Sequence, residues 1–503
     1  MPLTALWTDL QPTDAPTSGS HTNDATPPTE VDVVVVGAGI TGLTTALLLA
    51  RSGLSVCVLE ARAVGAGTTG RSTAKVTLLQ GARLTSVSRG HRESVVGHYV
   101  EANREGQAWL ARFCADHGVA VETRDAVSYA TSSRGEALVK HERKLARRHG
   151  LDVMTRGEID VPFPVRGAIS LADQFQVDPL AVCRALADEA RSHGAVVVES
   201  ARVRQVLGRD PVEVRSSAGT VHARTVVVAT GMPMVDRGGF FVRMSAQRSY
   251  TVALRLPRDP CEEMLLSVDS PTRSLRDAPD PASGSETGRL LLVGGAGPRP
   301  GRGSSPRSHL DQLREWAATW YPDGVETHAW SAQDYTTAHG LPVVGPVLPG
   351  AEHLLVAGGF AKWGMTNGVA AGLALTARIC GGRMDWAEAF EPWSVHEIPG
   401  SLQTAALNVD VGLRMASGWM RPIIDRSDAT TGDVRYEGVG APVAVAPDDG
   451  GCRRRVSGVC PHLGGVVTWN DAEDSWDCPL HGSRFDADGA VLDGPAAQAL
   501  AQR

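Results

Sequence analysis

Apolar and polar positions along the chain follow two rhythms that change in step with its turn residues. Residues 31–36 are almost continuously β-branched, the pattern of a parallel strand covered on both faces. Helical spacing follows over 41–51 and a second strand over 55–60, so a βαβ unit is predicted near the start. Amphipathic helices are predicted over 93–117 and 136–149, and Asp178-Pro179 opens another that runs to His193. Strands follow near Val196 and Val203, and short buried strands at 226–228, 290–293 and 354–357. Pro, Gly, Ser and Asp crowd residues 270–303, which predicts two long loops flanking 290–293. Residues 396–425 are weakly periodic with Pro399 and Pro422 near the ends, as in a connector, and from Ser427 short strands with Gly and Asp turns predict a small β domain. Residues 1–30 offer little apolar surface to offset their ordering entropy and read as a disordered tail.

A chain of 503 residues exceeds the ~250–300 at which one core stops growing, so two or three units are expected. The net charge of -7 removes any chain-wide basic field, which argues against nucleic acid as a partner. No apolar run approaches the ~18 residues of a membrane span, and the N-terminus lacks a signal-peptide pattern. Most of the eight cysteines are therefore expected as reduced thiols in a cytoplasmic protein.

Gly37-Ala38-Gly39-Ile40-Thr41-Gly42 lies between the first strand and its helix. The first glycine permits the tight turn, the second lets backbone N–H groups approach a pyrophosphate, and the third allows helix and strand to pack closely. Such a motif alone is weak, since many βα turns contain glycines. Here Glu60, eighteen residues past Gly42, ends the second strand where a ribose hydroxyl needs an acceptor. Gly65 to Thr73 follows, a Gly/Thr/Ser loop able to wrap a diphosphate and a flavin edge.

With that loop the sequence resembles the D-amino-acid-oxidase-like flavoproteins, which include glycine oxidase, sarcosine oxidase and bacterial amine dehydrogenases. Ala229-Thr230-Gly231, Gly340-Leu341-Pro342 and Ala357-Gly358-Gly359 followed by Trp363 to Gly368 extend the likeness. The resemblance implies FAD, held by Gly37, Gly39, Ile40, Thr41 and Gly42, by Glu60, Ala61 and Arg62, and by Thr69, Gly70, Arg71, Ser72 and Thr73. It adds Val203, Thr230, Gly231 and Gly359, with Gly364, Met365 and Thr366 opening a helix whose positive end faces the flavin pyrimidine.

Near the C-terminus, Cys460-Pro461-His462 and Cys478-Pro479-Leu480-His481 are separated by fifteen residues. Two thiols and two imidazoles suit zinc or a Rieske [2Fe–2S] cluster. Zinc fingers usually pair like with like, whereas each loop here supplies one Cys and one His, the division in which two Cys hold one iron and two His the other. Gly482-Ser483-Arg484-Phe485-Asp486 also resembles Rieske domains, although Gly465 and Leu480 stand where respiratory members carry a disulfide.

The fusion resembles a bacterial family of FAD/Rieske oxidoreductases. It implies an α/β Rossmann-type FAD-binding domain over 31–395, with an α+β substrate domain inserted at about 91–170 and 241–335. A linker over 396–426 and a small all-β Rieske domain over 427–503 complete the expectation. The expected function is a dehydrogenase that oxidises an amine or amino-acid-like substrate and passes electrons through its cluster to ferredoxin, quinone or oxygen. An NAD(P)H-dependent ferredoxin reductase or a redox sensor are the alternatives; the former needs a second nucleotide site, and the only other candidate for one, 294–297, runs into Pro298 instead of a helix. Residues 330–333 lack the arginine that grips a substrate carboxylate in amino-acid-specific members, which favours a substrate without a free α-carboxylate. Arg243, Arg248 or Arg255 are possible substitutes, Tyr250, Tyr335 and His339 possible pocket groups, and no catalytic base is assigned.

Overall fold

The computed structural model describes residues 3–10, 25–283, 288–303, 305–424, 432–436, 441–447 and 454–503. Its centre is a parallel sheet built on the strand Glu30–Val36, which pairs on one side with Val56–Leu59 and on the other with Gly219–Gly231. Val196–Val198 and Leu354–Gly358 extend it, and the strands are buried on both faces as their unbroken apolar runs require. The helices Ile40–Arg51, Pro179–Ser192 and Gly364–Ile379 cover one face. Asp178 caps the second by accepting from the Leu180 and Ala181 N–H groups.

A second, nine-stranded mixed sheet packs beside it, in the region where an inserted substrate domain is expected. Val325–Thr337 and Met244–Arg255 run antiparallel along one edge, and Val121–Ala130 and Gly167–Val177 lie towards the other. A buried amide cluster joins the domains. Asn103 on the helix Glu93–Asp116 donates to Asn367 Oδ1 at 3.0 Å, and Gln80 donates to Asn103 Oδ1 at 3.0 Å. The C-terminal unit has a four-stranded sheet, Thr468–Asn470 to Val491–Asp493, and a three-stranded one.

Three expectations change. Residues 3–10 are not disordered: Leu6–Asp9 is a short helix, Leu6 and Trp7 are fully buried, and the Trp7 indole donates to the Ser72 carbonyl at 2.7 Å. The rest of the expected tail up to residue 24 lies outside the described residues. The loop expected ahead of 290–293 contains the strand Arg273–Pro279, paired antiparallel with Arg289–Ala296. Its polar pattern conceals it because the charges are buried in pairs, Asp277 meeting Arg124 at 3.0 Å while Arg276 covers the Trp7 ring. Finally, most of the connector is one helix, Ser401–Ile424. Its apolar residues fall on more than one face, with Leu402, Val409 and Leu413 exposed at helical spacing along one side. Residues 425–426 lie outside the described residues.

Candidate functional site

A deep cavity opens at the carboxyl ends of the parallel strands, where open α/β sheets bind ligands. Gly37 has φ +104°, and a Cβ there would stand 2.8 Å from the Ala229 carbonyl. At Gly42 a Cβ would come within 2.0 Å of Gly37 O, so the helix can enter this closely only without a side chain. Glu60 locks the loop from the next strand, its carboxylate accepting the Ala38 N–H at 2.8 Å and the Arg62 N–H at 2.9 Å. The Thr69 hydroxyl accepts the Ile40 N–H at 3.2 Å, which lays the 65–73 loop across the glycine turn.

Of the residues singled out from the sequence, Gly37, Gly39, Ile40, Thr41, Glu60, Ala61, Arg62, Thr69 and Ser72 line this cavity, as do Val203, Thr230, Gly231, Gly364 and Met365. Six others lie behind it. Gly42 and Gly70 serve close backbone packing, and Gly359 has φ +75° with Thr337 2.5 Å from a Cβ position. The Arg71 carbonyl accepts from Trp330 at 2.9 Å and the Thr73 carbonyl from Arg276 at 2.6 Å, while the Thr366 hydroxyl joins the amide cluster through Asn103.

The structure adds wall residues that no motif marks. Lys362 and Asp334 face the same end of the cavity. Ala361 and Lys362 have φ +51° and +74°, two successive non-glycine residues in the left-handed region. The Asp334 carboxylate pins that strained turn by accepting the Lys362 N–H. Lys362 is open to the cavity yet surrounded by protein, and burial lowers the pKa of its ammonium against the opposing charge of Asp334.

The candidate arginines are occupied elsewhere. Arg243 pairs with Glu397 and stacks on Trp393, and Arg255 pairs with Asp280 at 2.6 Å. Arg248 is buried, not solvated, and holds Asp477 at 3.0 Å and Glu473 at 2.9 Å. Tyr335 lines the cavity, whereas Tyr250 is buried away from its wall. His339 is half-buried, its pKa pushed down to about 3 by desolvation and by His91, and its carbonyl accepts from His91.

The C-terminal loops bring Cys460, His462, Cys478 and His481 together. The two sulfurs lie within hydrogen-bonding reach of each other, and the imidazole centroids are 5.2 Å apart. The His462 and Leu463 N–H groups point at the first sulfur, and those of Leu480 and His481 at the second. Both ring nitrogens of His481 are buried without a partner, as befits a waiting metal ligand. Among the described residues no three His, Cys, Asp or Glu side chains converge on one metal ion. Thiols pair with thiols and imidazoles with imidazoles, a division that fits two irons and does not fit one zinc. Gly465 and Leu480 are in contact, a Cβ on the glycine standing 2.7 Å from the leucine, so apolar packing joins the loops where a disulfide could. The seven described cysteines are all free.

The cluster loops sit against the flavodomain. Phe241 packs edge-on against both imidazoles at 5.0 and 5.1 Å, and His462 Nε2 meets Asp236 at 3.1 Å. Tyr335, in the cavity wall, accepts from the Gln333 amide at 2.9 Å, which also donates to the Gly482 carbonyl at 2.7 Å beside His481. Among the described residues no helix is long and apolar enough to cross a membrane.

Comparison with known proteins agrees with both halves. Residues 32–378 match the family model FAD dependent oxidoreductase, and residues 421–502 the Rieske [2Fe-2S] domain. A putative Rieske 2Fe-2S iron-sulfur protein, YhfW of Bacillus subtilis, is 30% identical over 482 residues, which cover 94% of this chain and 93% of the relative. Glycine oxidase from Geobacillus kaustophilus superposes with a TM-score of 0.60 at 20% identity, over 73% of this chain and 99% of the oxidase. L-proline dehydrogenase from P. horikoshii gives 0.60 at 17% identity, over 73% and 98%. At those identities the two structures establish the fold. The chain belongs to the FAD dependent oxidoreductase family and carries a C-terminal Rieske domain, so that FAD and a [2Fe–2S] cluster are its cofactors.

Proposed function

We propose that this protein is a cytoplasmic dehydrogenase that oxidises the C–N bond of an amine or amino-acid-like substrate and sends the electrons through its own cluster to an external acceptor. One observation carries this reading: Tyr335 in the flavin cavity and Gly482 beside His481 hold the same amide of Gln333, so the two redox sites meet across a few side chains. The bound flavin supplies hydride acceptance, and the cluster accepts single electrons. Gly37, Gly39, Ile40 and Thr41 would present backbone to the pyrophosphate, Glu60, which holds that loop through the Ala38 N–H, would stand near the ribose, and Gly364 and Met365 would offer a helix N-terminus to the isoalloxazine. Cys460 and Cys478 would hold one iron, and His462 and His481 the other. The histidine edge faces inward against Phe241, suited to receive electrons from the flavodomain, while Leu463 is exposed on the loop's outer side, where ferredoxin, quinone or oxygen can approach.

Lys362 revises the expectation about substrate. It places a cation at the cavity end where residues 330–333 offer none, which suits a substrate carboxylate and favours the amino-acid-like class. Lys362→Met is expected to weaken benzoate binding, followed as a perturbation of the flavin spectrum, at least tenfold with FAD content unchanged. Equal affinity in the two proteins would remove Lys362 from this role.

Gly39→Leu is expected to abolish FAD retention while the cluster is kept. A Cβ there already lies 3.2 Å from Thr69 Oγ1, and a larger side chain blocks approach of a diphosphate. The flavin-to-protein ratio after purification checks it. The reaction class is tested by screening amines and amino acids for anaerobic flavin bleaching. Rapid bleaching by NADPH, with none by any amine, would contradict the dehydrogenase.

A further inference from the structure

The wall of the FAD cavity is not made by the flavodomain alone. Leu492, Asp493, Gly494, Ala496 and Ala497 line it, facing the glycine turn and Arg62 from the far side. These residues belong to the C-terminal domain, at and just beyond the last strand, Val491–Asp493, of its four-stranded sheet. Three cross-domain contacts anchor them. Arg202 donates to the Val491 carbonyl at 2.7 Å, Tyr335 donates to the Gly494 carbonyl at 3.3 Å, and Arg62 lies 3.9 Å from Asp493. Glu60, Ala61, Arg62, Arg202 and Val203 mark the region past the second parallel strand where a dinucleotide's adenosine half lies.

We propose that residues 492–497 form part of the dinucleotide site and close it over the adenosine–diphosphate half of FAD, so that FAD affinity depends on the Rieske domain. The inference rests on the assignment of this cavity to FAD. Asp493 has a defined electrostatic part. Burial alone would raise its carboxyl pKa, but Arg484, Arg62, Arg248 and Arg71 outweigh this and hold it at about 2, ionised at neutral pH. Its carboxylate, held by Arg484 at 3.0 Å, thereby presents a charge 3.9 Å from the Arg62 guanidinium in the cavity wall. The same segment reaches the cluster, because the Ala496 N–H donates to the Ser483 hydroxyl at 3.0 Å and that hydroxyl bonds the Cys460 sulfur.

The test uses the full-length protein with FAD removed and added back, read by flavin fluorescence. Ala497→Trp fills the cavity from the C-terminal side, and Asp493→Asn removes the charge facing Arg62. Ala499→Trp adds the same bulk two residues on, at an exposed position outside the wall. Both wall variants are expected to raise the Kd for FAD at least tenfold while the cluster's EPR signal stays at wild-type intensity, and Ala499→Trp to leave both unchanged. Wild-type FAD affinity in both wall variants would overturn the proposal. A wild-type protein that takes up no FAD would overturn the assignment of the cavity, and the inference with it.

Discussion

Arg248→Met is expected to destabilise the C-terminal domain by about 3–5 kcal/mol, the usual cost of removing one partner from a buried ion pair. Arg248 is 1% exposed and binds Asp477 at 3.0 Å, Glu473 at 2.9 Å and Ser331 Oγ at 3.2 Å. Its loss leaves two buried carboxylates sharing Arg484, which already meets Asp477 at 3.2 Å, Glu473 at 2.9 Å and Asp493 at 3.0 Å. The penalty comes from uncompensated charge, so Arg248→Met combined with Glu473→Gln should recover part of it. Urea unfolding followed by cluster absorbance checks this, and an unchanged midpoint for the single variant would show that the network does not join the domains.

Cys478→Ser has the largest expected effect on turnover. It removes one of the two thiolates from its iron, so the cluster should be lost, and turnover with ferredoxin as acceptor should fall by about 100-fold or more. FAD should remain, because residue 478 is not in the cavity wall and the wall segment keeps its own anchors to Arg202, Tyr335 and Arg484. Iron and acid-labile sulfide analysis, flavin content and ferredoxin reduction measured on one preparation read all three. Full turnover without iron would make the C-terminal domain a purely structural wall.

Both redox sites were legible in the sequence because each is local. Six residues from Gly37 to Gly42 and one strand end at Glu60 mark the candidate dinucleotide loop, and two short motifs mark the candidate cluster ligands. What stayed hidden depends on residues far apart in the chain. Nothing near Lys362 announces a cavity cation, since its position follows from a left-handed turn pinned by Asp334 on another strand. Residues 492–497 follow the Rieske motifs without one of their own, and they become cavity wall only through docking against Arg202 and Tyr335. Arg248 and Asp277 look like surface charges in sequence and are buried because their partners arrive from other strands. The helix Ser401–Ile424 escaped for the opposite reason, since its apolar residues fall on more than one face.

Electron transfer within one chain is tested most directly by photoreducing the flavin of the wild-type protein with EDTA under anaerobic light, while following flavin absorbance and the EPR signal of the cluster. The reduced-cluster signal should rise as electrons leave the flavin, at a rate independent of protein concentration. A cluster that stays oxidised beside a fully reduced flavin, or one reduced at a rate proportional to protein concentration, would contradict transfer inside the molecule.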